Sequence, residues 1–114
     1  MSARSQSAEA FADVSCKVLH EVLMERLGHL EKHGYTPYAD DRYTEGQLAS
    51  AAASYCIHST WRCGDRINCK DAPSPWPWDR AVFKPGTRRK ELIKAASLIV
   101  AEIERLDRAA VEHD

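Results

Sequence analysis

Four side chains able to ligate zinc fall in one stretch, Cys56, His58, Cys63 and Cys69, spaced C-x-H-x4-C-x5-C. Zinc takes thiolates and imidazoles, usually from tight C-x2-C pairs on turns, and this spacing matches no knuckle or ribbon. Cys56 also falls on the apolar side of a helical pattern. The plainer reading is therefore a buried small hydrophobe and loop thiols, with no metal and no cofactor. A second group is Asp40-Asp41, with Glu45 after it and His33 before it. Adjacent carboxylates can hold a hard cation or share a proton. More often they cap turns in solvent, and that is the expectation here.

Two further groups point to binding. Trp76-Pro77-Trp78-Asp79-Arg80 sets two indoles around a stiff proline, which suits either a plug in a helix groove or a recognition surface, since Trp and Arg dominate interface hot spots. Few large apolar residues lie outside the helical patterns, so at least one ring is expected in the core. Lys84, Arg88, Arg89, Lys90 and Lys94 gather at the start of the last helix. A helix N-terminus attracts anions, and added cations strengthen such a site for phosphate. The helix dipole disfavours cations there, so their presence points to use, against the plainer reading of a solvated face. The candidate binding residues are Trp76, Trp78, Lys84, Arg88, Arg89 and Lys90. No nucleophilic triad, P-loop, dinucleotide fingerprint or HExxH occurs, and no catalytic residue is assigned.

Three helices must position these groups. Phe11, Val14, Val18, Val22, Leu23, Leu27 and Leu30 recur at helical steps and predict a first helix from about Ser7 to His33, closed by Gly34. Residues 35–43 read as a loop. Thr44 with Gln47 forms a capping box for a second helix, along which Leu48, Ala51, Ala52, Tyr55 and Cys56 share a side, fading near Trp61. Residues 64–86 show no period and hold most of the prolines. A loop so long is uncommon inside a domain. Thr87 caps a third helix whose Leu92, Ala96, Ile99, Ile103, Leu106 and Ala110 step 4, 3, 4, 3, 4, a narrow seam for another helix. Ile99 and Ile103 are expected to be buried against the first two helices. The fold class is all-α: a three-helix antiparallel bundle with a long Pro/Trp-rich loop between helices 2 and 3. Residues 1–114 form one domain, of which 1–7 are expected to be flexible.

Bulk composition narrows the classes. With 114 residues the chain suffices for one domain. It is 44% hydrophobic and 29% charged, with 16 basic against 17 acidic residues, a globular profile. A net charge of −1 excludes no local basic patch but gives no global drive toward nucleic acid. The N-terminal residues lack a secretory apolar stretch and nothing approaches a membrane span. Reduced thiols in a host cytoplasm are the expectation.

His33-Gly34-Tyr35-Thr36-Pro37 with Asp40-Asp41, Gly46-Gln47-Leu48-Ala49, Trp76-Pro77-Trp78-Asp79, Lys84-Pro85, and the blocks Arg88–Ala96 and Ala101–Arg108 together resemble a family of small bacteriophage and prophage proteins over about residues 21–110. Ala39 and Tyr43 stand where that family has histidines. More distantly, the element order resembles phage MazG-like nucleotide pyrophosphohydrolases, all-α enzymes that hold Mg²⁺ through E-E-x-x-E on one helix and E-x-x-D on another. Here the first of those helices has no carboxylate between Leu48 and Cys56, and Lys94 replaces the aspartate after Glu91. One acid cannot assemble the cation cluster of phosphoryl chemistry. The resemblance thus implies a non-catalytic phage or prophage binding protein that masks a host partner, including as an inhibitor of bacterial defence of the anti-CRISPR kind. The alternative is nucleotide handling: a MazG-like pyrophosphohydrolase, or a protein that sequesters a nucleotide through Arg88, Arg89 and Lys90. Helix faces leave room for a homo-oligomer, and no membrane partner is expected.

Overall fold

The computed structural model describes residues 3–33, 37–63, 66–67 and 70–113, with side chains described for 7–28, 39–61 and 70–111. The chain is all-α: α1 spans Ala3–His33, α2 Gln47–Ser59 and α3 Arg88–His113. The bundle centres on α2 and α3. His58 near the end of α2 meets Glu91 near the start of α3, so the two helices run antiparallel. Ala51, Ala52 and Ser54 on α2 and Ala95 on α3 are all buried, and their small side chains let the helices approach closely. Ser54 returns its hydroxyl to the Ser50 carbonyl at 2.8 Å and Ser59 to Cys56 at 2.6 Å, which satisfies polar groups in a dry interface.

A knot of aromatic rings closes one side of this pair. Tyr55 stacks on Phe83 with ring centres 4.8 Å apart, and Trp76 meets both rings edge-on at 5.5 and 5.0 Å. The tryptophan–proline segment thus plugs the α2/α3 groove, as expected, with Trp76 buried and Trp78 packed on its flank. Its folding is local. Trp76 Nε1 donates to the Asp79 carbonyl at 3.0 Å, and Asp79 caps a 3-10 turn over Arg80–Val82 by accepting from Ala81 N at 2.9 Å. Arg80 donates to the Ala72 carbonyl and ties the loop's two limbs together.

Several elements depart from expectation. Thr44 does not cap α2: the helix starts at Gln47 behind Gly46, whose φ of 78° lies in the left-handed region, and the Gln47 side chain accepts from Glu45 N at 2.7 Å instead. Thr87 does cap α3, accepting from Lys90 N at 3.1 Å. Residues 37–42 are not loop but a 3-10 helix, Pro37–Arg42. A two-residue antiparallel ladder pairs Arg62 with Ile67 and Cys63 with Arg66, its second strand inside the stretch read as aperiodic. Gly34, Gly64 and Cys69 lie outside the described residues.

The largest departure is α1. It reaches the body through α3, where Val22 and Arg26 are buried, while Phe11, Val14, Val18, Leu19, Leu23, Met24 and Leu27 are exposed. The physical reason is the distribution of its apolar residues. They divide between two stripes on a helix of 3.6 residues per turn, and only the part beside α3 finds a neighbour. Ile99 and Ile103 of α3 are likewise exposed, against the expectation that they pack on the first two helices. The side of α3 that is buried instead carries Glu91, Ala95, Ser97 and Ala101.

Candidate functional site

The elements converge on one pocket of about 480 Å³, with Tyr55, Trp76 and Leu98 behind it and Tyr43 and Trp78 among its walls, a volume within the usual range for small-molecule sites. Arg26, Arg42, Lys84 and Lys94 bring four cations to its lining, and Asp40 is the single acid there among the described residues. Tyr43 and Trp78 lie with ring centres 5.2 Å apart, inclined at 57°.

Each charged group is held differently. Arg26 comes from α1 and is buried between two acids, with Nη2 2.7 Å from Asp40 Oδ2 and Nε donating to Glu104 Oε1 at 3.0 Å. The approach to Asp40 is close but poorly aligned, so Oδ2 is a buried acceptor without a hydrogen bond among the described residues. Asp41 accepts from Arg108 Nε at 2.9 Å, and this pairing holds the arginine above its usual range. The aspartate pair is therefore not simply solvated: both carboxylates are ion-paired, Asp40 largely buried and Asp41 35% exposed. Its two carboxylates diverge onto arginines of α1 and α3, which fasten the 3-10 helix across the bundle. Lys94 donates to the Lys84 carbonyl at 3.0 Å, and its ammonium sits 5.4 Å from the Tyr55 ring centre. Partial burial there lowers its pKa. Burial raises that of Tyr55, whose hydroxyl accepts from Lys84 N at 3.4 Å. Neither Lys84 nor Lys94 pairs with a carboxylate among the described residues.

The six residues singled out from sequence do not form one exposed patch. Trp76, Trp78 and Lys84 line the pocket. Arg89 turns to α1 and pairs with both oxygens of Glu21 at 2.6 and 2.7 Å, which lowers the Glu21 pKa, so a structural partner accounts for its place at the helix start. Arg88 and Lys90 are exposed. Of the candidate zinc ligands, the two with described side chains, Cys56 and His58, do not converge. Cys56 is exposed, not buried as its position on the pattern suggested, and two residues along the helix His58 points inward. The His58 Nδ1 lies 2.7 Å from Glu91 Oε2, with both side chains wholly buried. Cys63 contributes no described side chain and Cys69 lies outside the described residues. Among the described residues no group of three or more His, Cys, Asp or Glu side chains could hold a metal.

Arg26, Arg42, Tyr43, Tyr55 and Lys94 are among the pocket residues not singled out from sequence as binding residues. Arg26 had a signal: it stands four residues after Val22 on the stripe that α1 buries, where an arginine requires a buried partner. Searches against protein-family models, curated proteins and solved structures find no match to this chain.

Proposed function

We propose that this chain is a non-catalytic binding protein that sequesters a small planar anion of nucleotide type. The observation that carries the reading is the pocket's make-up: four cations and four aromatic rings share one lining, with Arg42 over Tyr43 and Lys94 over Tyr55, and Asp40 contributes a buried acceptor. Lys84 and Lys94 suit a phosphate, since neither forms an ion pair with a carboxylate among the described residues, Glu25 and Glu91 acting on Lys94 only from further off. Trp78 and Tyr43 suit a base, because rings offer stacking worth about 1–3 kcal/mol. Asp40 Oδ2, ion-paired with Arg26 but accepting no hydrogen bond among the described residues, suits an N–H donor on that base, because a buried oxygen gains from an aligned donor. If the likeness to phage proteins reflects ancestry, a host-directed role would run through depletion of this ligand.

Masking of a host protein surface, the other reading, draws less support. Its six residues divide between a concave site, an ion pair with α1 and two separate exposed cations.

Titration calorimetry with a panel of nucleoside mono- and triphosphates, with and without Mg²⁺, tests the proposal. A saturable 1:1 heat is expected for at least one nucleotide, with inorganic phosphate and the free nucleoside each much weaker. Lys84→Met with Lys94→Met should weaken it by roughly 30-fold or more, as loss of charge-assisted hydrogen bonds does. No binding at millimolar nucleotide, or affinity untouched by the double substitution, would overturn it. Steady pyrophosphate release would overturn its non-catalytic part.

A further inference from the structure

One buried atom in the pocket wall is short of a hydrogen bond. Among the described residues, Asp40 Oδ2 is the one buried side-chain oxygen or nitrogen that makes none, and native interiors hold few such atoms without a reason. Arg26 Nη2 lies 2.7 Å away, so the charge is met while the directional bond is not. The Asp40 side chain is 15% exposed, and both residues line the pocket. Each is fixed by a further contact. Arg26 Nε donates to Glu104 Oε1 at 3.0 Å, and the Asp40 carbonyl accepts from Tyr43 N at 3.0 Å. The second bond closes the turn that joins the carboxylate to the Tyr43 ring, whose centre is 5.2 Å from that of Trp78. A donor, a carboxylate and two aromatic rings are thus tied together by short contacts.

We infer that the pocket reads guanine: the Asp40 carboxylate accepts from N1–H and the 2-amino group of the base, and Arg26 donates to its O6. Guanine recognition rests on the nucleotide reading above and adds the identity of the base to it. Proteins that hold a single base read its Watson–Crick edge by hydrogen bonds while aromatic side chains stack on its face. The order of groups along that edge decides which base fits. Guanine presents acceptor, donor, donor, which answers an arginine followed by the two oxygens of a carboxylate. Adenine presents a donor in place of O6 and an acceptor in place of N1–H, so each meets a group of its own kind. Cytosine turns a ring acceptor on the carboxylate, and uracil offers it one donor flanked by two acceptors. Hypoxanthine keeps the first two groups of guanine and loses the third. A buried carboxylate set against a base acceptor is desolvated without gaining a bond, and sites of this kind reject the wrong ligand strongly.

Titration calorimetry of the full chain with guanosine, inosine and adenosine monophosphates tests the inference, because the three share one ribose and one phosphate. The guanosine nucleotide should bind most tightly. Inosine monophosphate, which lacks only the 2-amino group, should be weaker by roughly tenfold or more, the factor of one hydrogen bond to a charged acceptor. Adenosine monophosphate should be weaker still. In Asp40→Asn the preference for guanosine over adenosine monophosphate should fall by roughly tenfold or more, read as a ratio so that a general loss of affinity does not count. Far-ultraviolet circular dichroism checks that this variant folds, and if it does not, the order of the three ligands on the wild-type protein decides. Adenosine monophosphate binding as well as guanosine monophosphate would overturn guanine recognition and leave the nucleotide reading standing. No binding of any nucleotide would overturn both. Inosine and guanosine monophosphates of equal affinity would overturn the contact to the 2-amino group, and a preference unchanged in a folded Asp40→Asn protein would overturn the assignment to Asp40.

Discussion

His58 and Glu91 bring two polar side chains into the interior, and each removes the desolvation cost of the other. Glu91 Oε2 also accepts from Gly86 N at 3.1 Å, so one carboxylate fastens the end of α2, the start of α3 and the loop between them. Burial leaves no path to substrate, and we assign the pair to stability. Glu91→Ala should cost on the order of 3 kcal/mol, because it leaves a buried imidazole and a backbone N–H without their acceptor. Glu91→Gln, which keeps an acceptor oxygen, should cost clearly less. Urea unfolding with a constant slope measures both. From sequence, His58 stood out as a ligand type and Glu91 as an isolated acid. Neither spacing showed that they meet, because a contact between residues so far apart depends on the helix crossing and not on local pattern. Lys94 gives a pH test at the same scale. Burial depresses its folded-state pKa, so between that value and the unfolded one the unfolded chain binds more protons, and stability rises with pH. Lys94→Met should therefore be stabilising at pH 7, and that advantage should shrink as pH rises toward 10.

At the scale of elements, helices were legible and their partners were not. The four- and three-residue steps fixed α3 as a helix with a seam, since they need only the geometry of one helix. Which neighbour fills the seam depends on the register of α1, and its divided stripes give no single answer. The start of α2 shows a related limit. Thr44 and Gln47 have capping-box spacing, but Gly46 takes the cap position because its left-handed φ turns the chain from the 3-10 helix into α2. Nothing lies within 4 Å of a Cβ built there, so Gly46→Ala tests backbone strain alone. We expect a loss of about 1–2 kcal/mol, read as a lowered urea midpoint.

The whole molecule joins a rigid α2/α3 core, knotted by Tyr55, Trp76 and Phe83, to the pinned 3-10 helix and to α1 through arginines. No helix among the described residues is long and apolar enough to cross a membrane. The pocket exists only where these parts meet: Arg26 comes from α1, Tyr43 from beside the 3-10 helix, Trp78 from the loop and Lys94 from α3. Most of it was illegible in sequence for that reason, although two of its tryptophans and Lys84 stood out by type. A ligand held in it should therefore stiffen the assembly as a whole. Binding to the folded state alone stabilises by about 2.7 kcal/mol at a ligand concentration one hundred times Kd, which raises Tm by about 10 °C in a domain of this size. The rise should shrink in Trp78→Ala, which removes the stacking face, and in Lys84→Met, which removes a cation. Arg26→Met should lower the ligand-free Tm first, because it strands Asp40 and Glu104. Differential scanning calorimetry of the four proteins with and without nucleotide separates these effects, and equal ligand-induced shifts in all four would place the binding site elsewhere.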